Sequence, residues 1–129
     1  IAYEMAPNDD FQVMATGGLV RAESMESTGP VAEQALLGIA VDVAVIGVGG
    51  VDARLGISTA SELEAATARQ MMRSARRTIV VAESSKIGRT EFFRVCELEE
   101  ISTIVSDAPI LRPLRSVLDD AGVRIEVAE

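Results

Sequence analysis

The sequence contains no histidine, no tryptophan, one cysteine, one lysine and only three phenylalanines. Each scarcity narrows the function. With so few aromatic rings there is no stacking platform for single-stranded nucleic acid. A lone cysteine, Cys96, allows no intrachain disulfide, which makes a reducing cytoplasm the expected compartment. No apolar run nears the roughly eighteen residues that cross a bilayer, and no secretory signal is present, so no membrane partner is expected. Positive charge is scarce too. The net charge is −8, with the arginines scattered among twenty carboxylates. Phosphate-backbone binding draws on clustered cations that displace counterions. This stretch is therefore expected to repel nucleic acid, leaving any DNA contact to residues outside it.

What is present is apolar and patterned. The 129 residues are 48% hydrophobic, and that length suits one domain. The chain opens on Ile1 instead of methionine and reads as a fragment of something longer, with residues 1–129 forming a single effector-sensing unit. Short apolar runs alternate with helix-like segments. Phe11–Ala15 is expected to be a strand ending in Thr16-Gly17-Gly18, and the polar stretch Arg21–Thr28 an exposed loop. Pro30 suits the first turn of a helix running to about Leu37. Val41–Val48 is an apolar run broken only by Asp42, the signature of a parallel strand covered on both faces. Gly49–Ser58 reads as a glycine-containing loop.

The longest helix follows. Thr59 with Glu62 three residues on spells a capping box, and Ala65, Ala68, Met72 and Ala75 give a small apolar stripe. Thr78–Ala82 predicts a buried strand running into Glu83-Ser84-Ser85-Lys86, with further strands at Phe92–Leu98 and Ile101–Val105. Leu114, Val117, Leu118 and Ala121 fall on one helical face, Gly122 stops that helix, and Val123–Val127 alternates like an edge strand. The fold class is α/β: layered, with a mainly parallel sheet flanked by helices.

Ligands of open α/β sheets sit beyond the carboxyl ends of the strands. Three such ends are unusual here: Thr16-Gly17-Gly18, the run Gly47-Val48-Gly49-Gly50-Val51-Asp52, and Glu83-Ser84-Ser85-Lys86. Glycines let the backbone approach a ligand and aim N–H groups at its oxygens. A lysine offers a compact charge for phosphate. Plainer readings stand beside these. Gly49 and Gly50 also suit a tight turn, Lys86 a solvated surface, Asp52 the shaping of its own loop, Glu83 a cap, and Glu64 a favourable first-turn charge. Cys96 and the methionines read as core filler.

In order and spacing these segments resemble the C-terminal domain of DeoR-family transcriptional regulators. The likeness runs through Thr16-Gly17-Gly18, Gly29, Asp42-Val43-Ala44-Val45-Ile46-Gly47, Gly50-Val51-Asp52, Gly56-Ile57-Ser58, Glu64-Ala65, Glu83-Ser84-Ser85-Lys86-Ile87-Gly88 and Ile104-Val105-Ser106-Asp107. It implies a fold similar to ribose-5-phosphate isomerase. It also implies a sensor for a phosphorylated sugar or related metabolite, carried by a regulator, generally a repressor, whose winged helix-turn-helix binds operator DNA. That DNA-binding part, and the start of the sensor domain, would lie upstream of Ile1. Glu83 and Lys86 occupy the family's Asp-x-x-Lys motif, associated with inducer response. Gly47, Gly49, Gly50 and Asp52 occupy its glycine loop. Glu83 replaces the usual aspartate, and Ala68 stands where many members carry a lysine. The effector-binding set expected is thus Gly17, Gly18, Gly47, Gly49, Gly50, Asp52, Glu64, Glu83 and Lys86, with no metal or cofactor, and with self-association into a homo-oligomer.

Two other functions compete. Glu64 and Lys86 match a glutamate and a lysine of sugar-phosphate isomerases, but those enzymes carry Asp-Gly-Ala-Asp where this chain has Gly47-Val48-Gly49-Gly50. With both carboxylates replaced and no histidine to stand in, the site is expected to bind without turning over. The other competitor is a purely structural oligomerisation domain.

Overall fold

A computed structural model describes residues 1–128. Its backbone is a four-stranded parallel sheet in the order β3 (Val41–Gly47), β6 (Ala75–Val81), β8 (Thr103–Ser106), β9 (Arg124–Val127). Beside it lies a three-stranded antiparallel sheet of β4 (Gly50–Asp52), β5 (Gly56–Thr59) and β7 (Phe93–Cys96). Before these come a short helix α1 (Ala2–Met5), a two-stranded ribbon of β1 (Leu19–Val20) and β2 (Ser27–Thr28), and α2 (Pro30–Leu36). The layered α/β class with a mainly parallel sheet is borne out.

The helix α3 (Glu62–Ser74) is the organising element, packing against α2, β3, β6 and β7. Its Ala65 is buried, and Ala68, Met71 and Met72 pack against the core. Small side chains let the helix approach both sheets closely. Ser74 Oγ donates to Leu36 O at 2.9 Å, and Thr67 Oγ1 accepts from Gly29 N–H at 3.1 Å, so two polar ties fix α2 on α3. The core runs through Ile46, Val51, Ile57, Val80, Ile104 and Leu118. Leu118 belongs to α4 (Leu114–Asp120), the expected C-terminal helix. Ile57, Ile104 and Leu118 are fully buried, each contributing about 1.5–3 kcal/mol by leaving water.

Five expectations are corrected. Phe11–Ala15 forms no strand. Phe11 and Met14 are 50% and 66% exposed, and nothing pairs with them. Thr16-Gly17-Gly18 therefore precedes a strand instead of ending one. Arg21–Thr28 is not all loop, because Ser27–Thr28 returns as β2. Gly49–Ser58 is the hairpin β4–β5, turned at Asp52, whose carboxylate accepts from Arg54 N–H and Leu55 N–H. The cap of α3 is Ser61, whose hydroxyl accepts from Glu64 N–H, since Thr59 is still in β5. Last, β3 and its neighbour β6 are covered on one face only: Val41, Val45 and Val81 are 39%, 54% and 47% exposed, while Ala44, Ile46 and Val80 are buried.

Among the described residues no helix is long and apolar enough to cross a membrane.

Candidate functional site

Because all four strands of the main sheet are parallel, their carboxyl ends share one edge. Gly47 pairs with Val81 in the register, and Val81 with Val105. The chain leaves β3 at Gly47 towards β4, and leaves β6 into a one-turn 3-10 helix, Ser84–Lys86. These two departures lie side by side. The β6 turn is pinned at both ends. Ser84 donates through its N–H and its hydroxyl to the Asp107 carboxylate at the tip of β8. At the other end Gly88 N–H donates to Val51 O at 2.8 Å, and Ile87 bridges Val51. Lys86 is thereby held at the mouth of a cleft of about 730 Å³, between the strand tips, α3 and the β1–β2 ribbon. That volume lies within the range of roughly 300–1,000 Å³ common for small-molecule sites.

Four of the nine expected residues line this cleft: Gly47, Gly49, Glu64 and Lys86. The other five do not, although Thr16, next to Gly17, does. Gly17 and Gly18 make the turn into β1 with φ of 72° and 111°. Gly50 faces the β6 turn, and a Cβ there would come within 2.4 Å of Arg89 O. Asp52 holds the hairpin turn, and its two backbone hydrogen bonds, to Leu55 and Arg54, pull its carboxyl below the usual range. Glu83 is exposed beside the turn, where its carboxylate accepts from Ser85 Oγ.

Four charged residues of the cleft escape a reading of the sequence: Arg21, Glu23, Glu26 and Glu91. Arg21 and Glu26 sit in the polar segment that returns as a ribbon over the strand tips. Glu26 Oε1 stands over Gly47, 3.8 Å from where a Cβ on that glycine would lie. Partial burial, and secondarily the Glu64 charge, hold the Glu26 carboxyl above its ordinary value against the opposing influence of Ser24, Arg21 and Lys86. Glu64 is already engaged: Arg21 Nε lies 3.2 Å from its Oε1, and Thr59 Oγ1 donates to its Oε2 at 2.6 Å. Glu91 meets Arg89 at 3.4 Å. Among the described residues no carboxylate lies within ion-pairing distance of Lys86. Gly47-Val48-Gly49-Gly50 carries no carboxylate, but glutamates reach the cleft from the ribbon, α3 and the β6–β7 connection.

Residues 1–108 match the DeoR C terminal sensor domain. The chain belongs to the DeoR family of transcriptional regulators, as a sensor domain. It is 32% identical over 125 residues to the putative aga operon transcriptional repressor of Escherichia coli O157:H7, covering 97% of this chain and 46% of the relative. It is 31% identical over 117 residues to the HTH-type transcriptional regulator GlpR of Haloferax volcanii, covering 91% and 46%. An uncharacterized HTH-type transcriptional regulator of Bacillus subtilis, YulB, is 28% identical over 124 residues, covering 96% and 48%. The chain spans about half the length of these relatives.

Proposed function

We propose that this domain binds a phosphorylated sugar or a closely related metabolite in the cleft at the strand tips, and that occupancy sets how the whole cytoplasmic regulator holds its operator DNA. One observation carries the reading: Lys86, a half-buried ammonium without a carboxylate partner among the described residues, faces the same cleft as Gly47 and Gly49. The ammonium supplies the phosphate contact, and the sugar lies along the rest of the cleft lining, between α3 and the ribbon. Control over DNA follows if the ligand has different affinity for two states of the regulator. Most operator contacts would come from a helix-turn-helix outside these residues, and subunits would associate with one another.

Thermal denaturation with a panel of sugar phosphates tests the proposal. A ligand at a hundred times its Kd adds about 2.7 kcal/mol of stability, a readily measured shift. Replacing Lys86 with alanine should abolish that shift while leaving the melting of the unliganded protein within about 0.5 kcal/mol of the parent. A shift that survives Lys86→Ala would overturn the assignment.

One observation favours a second reading. Glu26, Glu64 and Glu91 stand in the same cleft as Lys86, so carboxylates for proton transfer are present after all. Measured turnover of ribose 5-phosphate would make the domain an isomerase. We read it as a sensor without catalysis because its relatives are transcriptional regulators and because the Glu64 carboxylate, the one matching the isomerases, is occupied by Arg21 and Thr59.

A further inference from the structure

We propose that the metabolite of this cleft carries a positively charged nitrogen as well as its phosphate, which makes it a phosphorylated amino sugar, and that Glu26 selects it. The inference rests on the sugar-phosphate reading above and adds the chemistry of the ligand's other end.

The argument is one of unmatched charge. Four carboxylates line the cleft, Glu23, Glu26, Glu64 and Glu91, against two cations, Arg21 and Lys86. Arg21 is divided between Glu23 at 3.0 Å and Glu64 at 3.2 Å. Glu91 has Arg89. Among the described residues this leaves Glu26 as the cleft carboxylate with no cation within 4 Å, and Lys86 as the cleft cation with no carboxylate there. The two share the cleft without direct contact, each left open to a ligand group of opposite charge.

A ligand complementary to both ends has an anion for Lys86 and a cation for Glu26. A neutral sugar phosphate meets the first demand only. Its phosphate adds negative charge to a cleft where carboxylates already outnumber cations, and hydroxyls at Glu26 return none of that charge. An ammonium on the sugar does, through a charge-assisted hydrogen bond stronger than a hydroxyl's. Placement supports this division. Glu26 Oε1 overhangs Gly47, at the end of β3, while Lys86 comes from the turn beyond the neighbouring β6. A ligand lying across the two strand tips would place opposite charges at its two ends.

Calorimetric titration of the 129-residue chain with glucosamine 6-phosphate, N-acetylglucosamine 6-phosphate and glucose 6-phosphate tests this. Glucosamine 6-phosphate should bind at least about tenfold more tightly than the other two, the worth of one charge-assisted contact. In Glu26→Gln that preference should fall to within about twofold, with glucose 6-phosphate bound no more weakly than before. The retained glucose 6-phosphate binding shows that the variant is folded. Equal affinity for the amino and neutral sugars, or a preference that survives Glu26→Gln, overturns the inference and leaves the sensor reading intact. Glu26→Gln weakening all three ligands alike also overturns it, since the carboxylate would then be receiving hydroxyls. If none of the three binds, the inference and the sugar-phosphate reading fall together.

Discussion

The Arg21 guanidinium lies 3.2 Å from the Glu64 carboxylate and so ties the β1–β2 ribbon to the first turn of α3. Both side chains are largely withdrawn from water, at 31% and 18% exposure. Glu64 also receives the Thr59 hydroxyl, so removing it leaves that hydroxyl unpaired and Arg21 with Glu23 alone. Glu64→Ala should cost about 1–3 kcal/mol, measured by urea denaturation. A loss below a few tenths of that would mean the ribbon is not anchored here.

Glu26 gives a pH dependence with a definite sign. Its carboxyl is held above its ordinary 4.5, first by partial burial and then by Glu64. The folded protein therefore holds that proton more tightly than the unfolded chain does. The resulting stabilisation is complete below 4.5 and is lost as pH rises through the raised folded value. Glu26→Gln should accordingly melt at a higher temperature than the parent near pH 7 and match it near pH 4. The reverse order would place the carboxylate in a favourable ionic contact.

Gly50 is predicted to be irreplaceable for packing reasons. An alanine Cβ there would lie 2.4 Å from Arg89 O, a backbone atom that can yield only by moving the β6 turn. Gly50→Ala should lose about 1–3 kcal/mol. Gly38, where an added Cβ meets nothing within 4 Å, is the control, with a change within about 0.5 kcal/mol. Denaturant midpoints of the two variants decide the matter.

Cys96 should be chemically silent in the native protein. Burial pushes its thiol up to about 12, with the Glu100 carboxylate adding to the effect. Only the thiolate attacks disulfide reagents. Ellman's reagent near pH 7.5 should leave the folded chain unlabelled and label it fully in denaturant. Rapid native labelling would show that β7 opens readily.

The long elements were legible because periodicity accumulates over many residues. The stripe Ala65, Ala68 and Met72 marked α3, and the run from Val41 marked β3. The hairpin β4–β5 was not, because three- and four-residue strands built around Gly50 and Gly56 carry no pattern, and the burial of Val51 and Ile57 is a tertiary fact. An apolar run also cannot say which of its faces will be covered, and hence Val45 and Val81 stand more exposed than their sequence suggests. The site divides the same way. Parallel strands must deliver Gly47 and Lys86 to one edge, so topology alone brought those two together. Arg21 and Glu26 reach the cleft because a polar segment folds back over it, and nothing periodic marks such a segment.

The double pinning of the Ser84–Lys86 turn has a mechanical consequence. Asp107 grips it from the main sheet and Val51 from the small one, which makes it a strut between two sheets that share no strand pairing. A pull on the Lys86 ammonium cannot remain local. If the proposed ligand seats there, it would load β8 and the hairpin at once, and so reach both sheets through one contact.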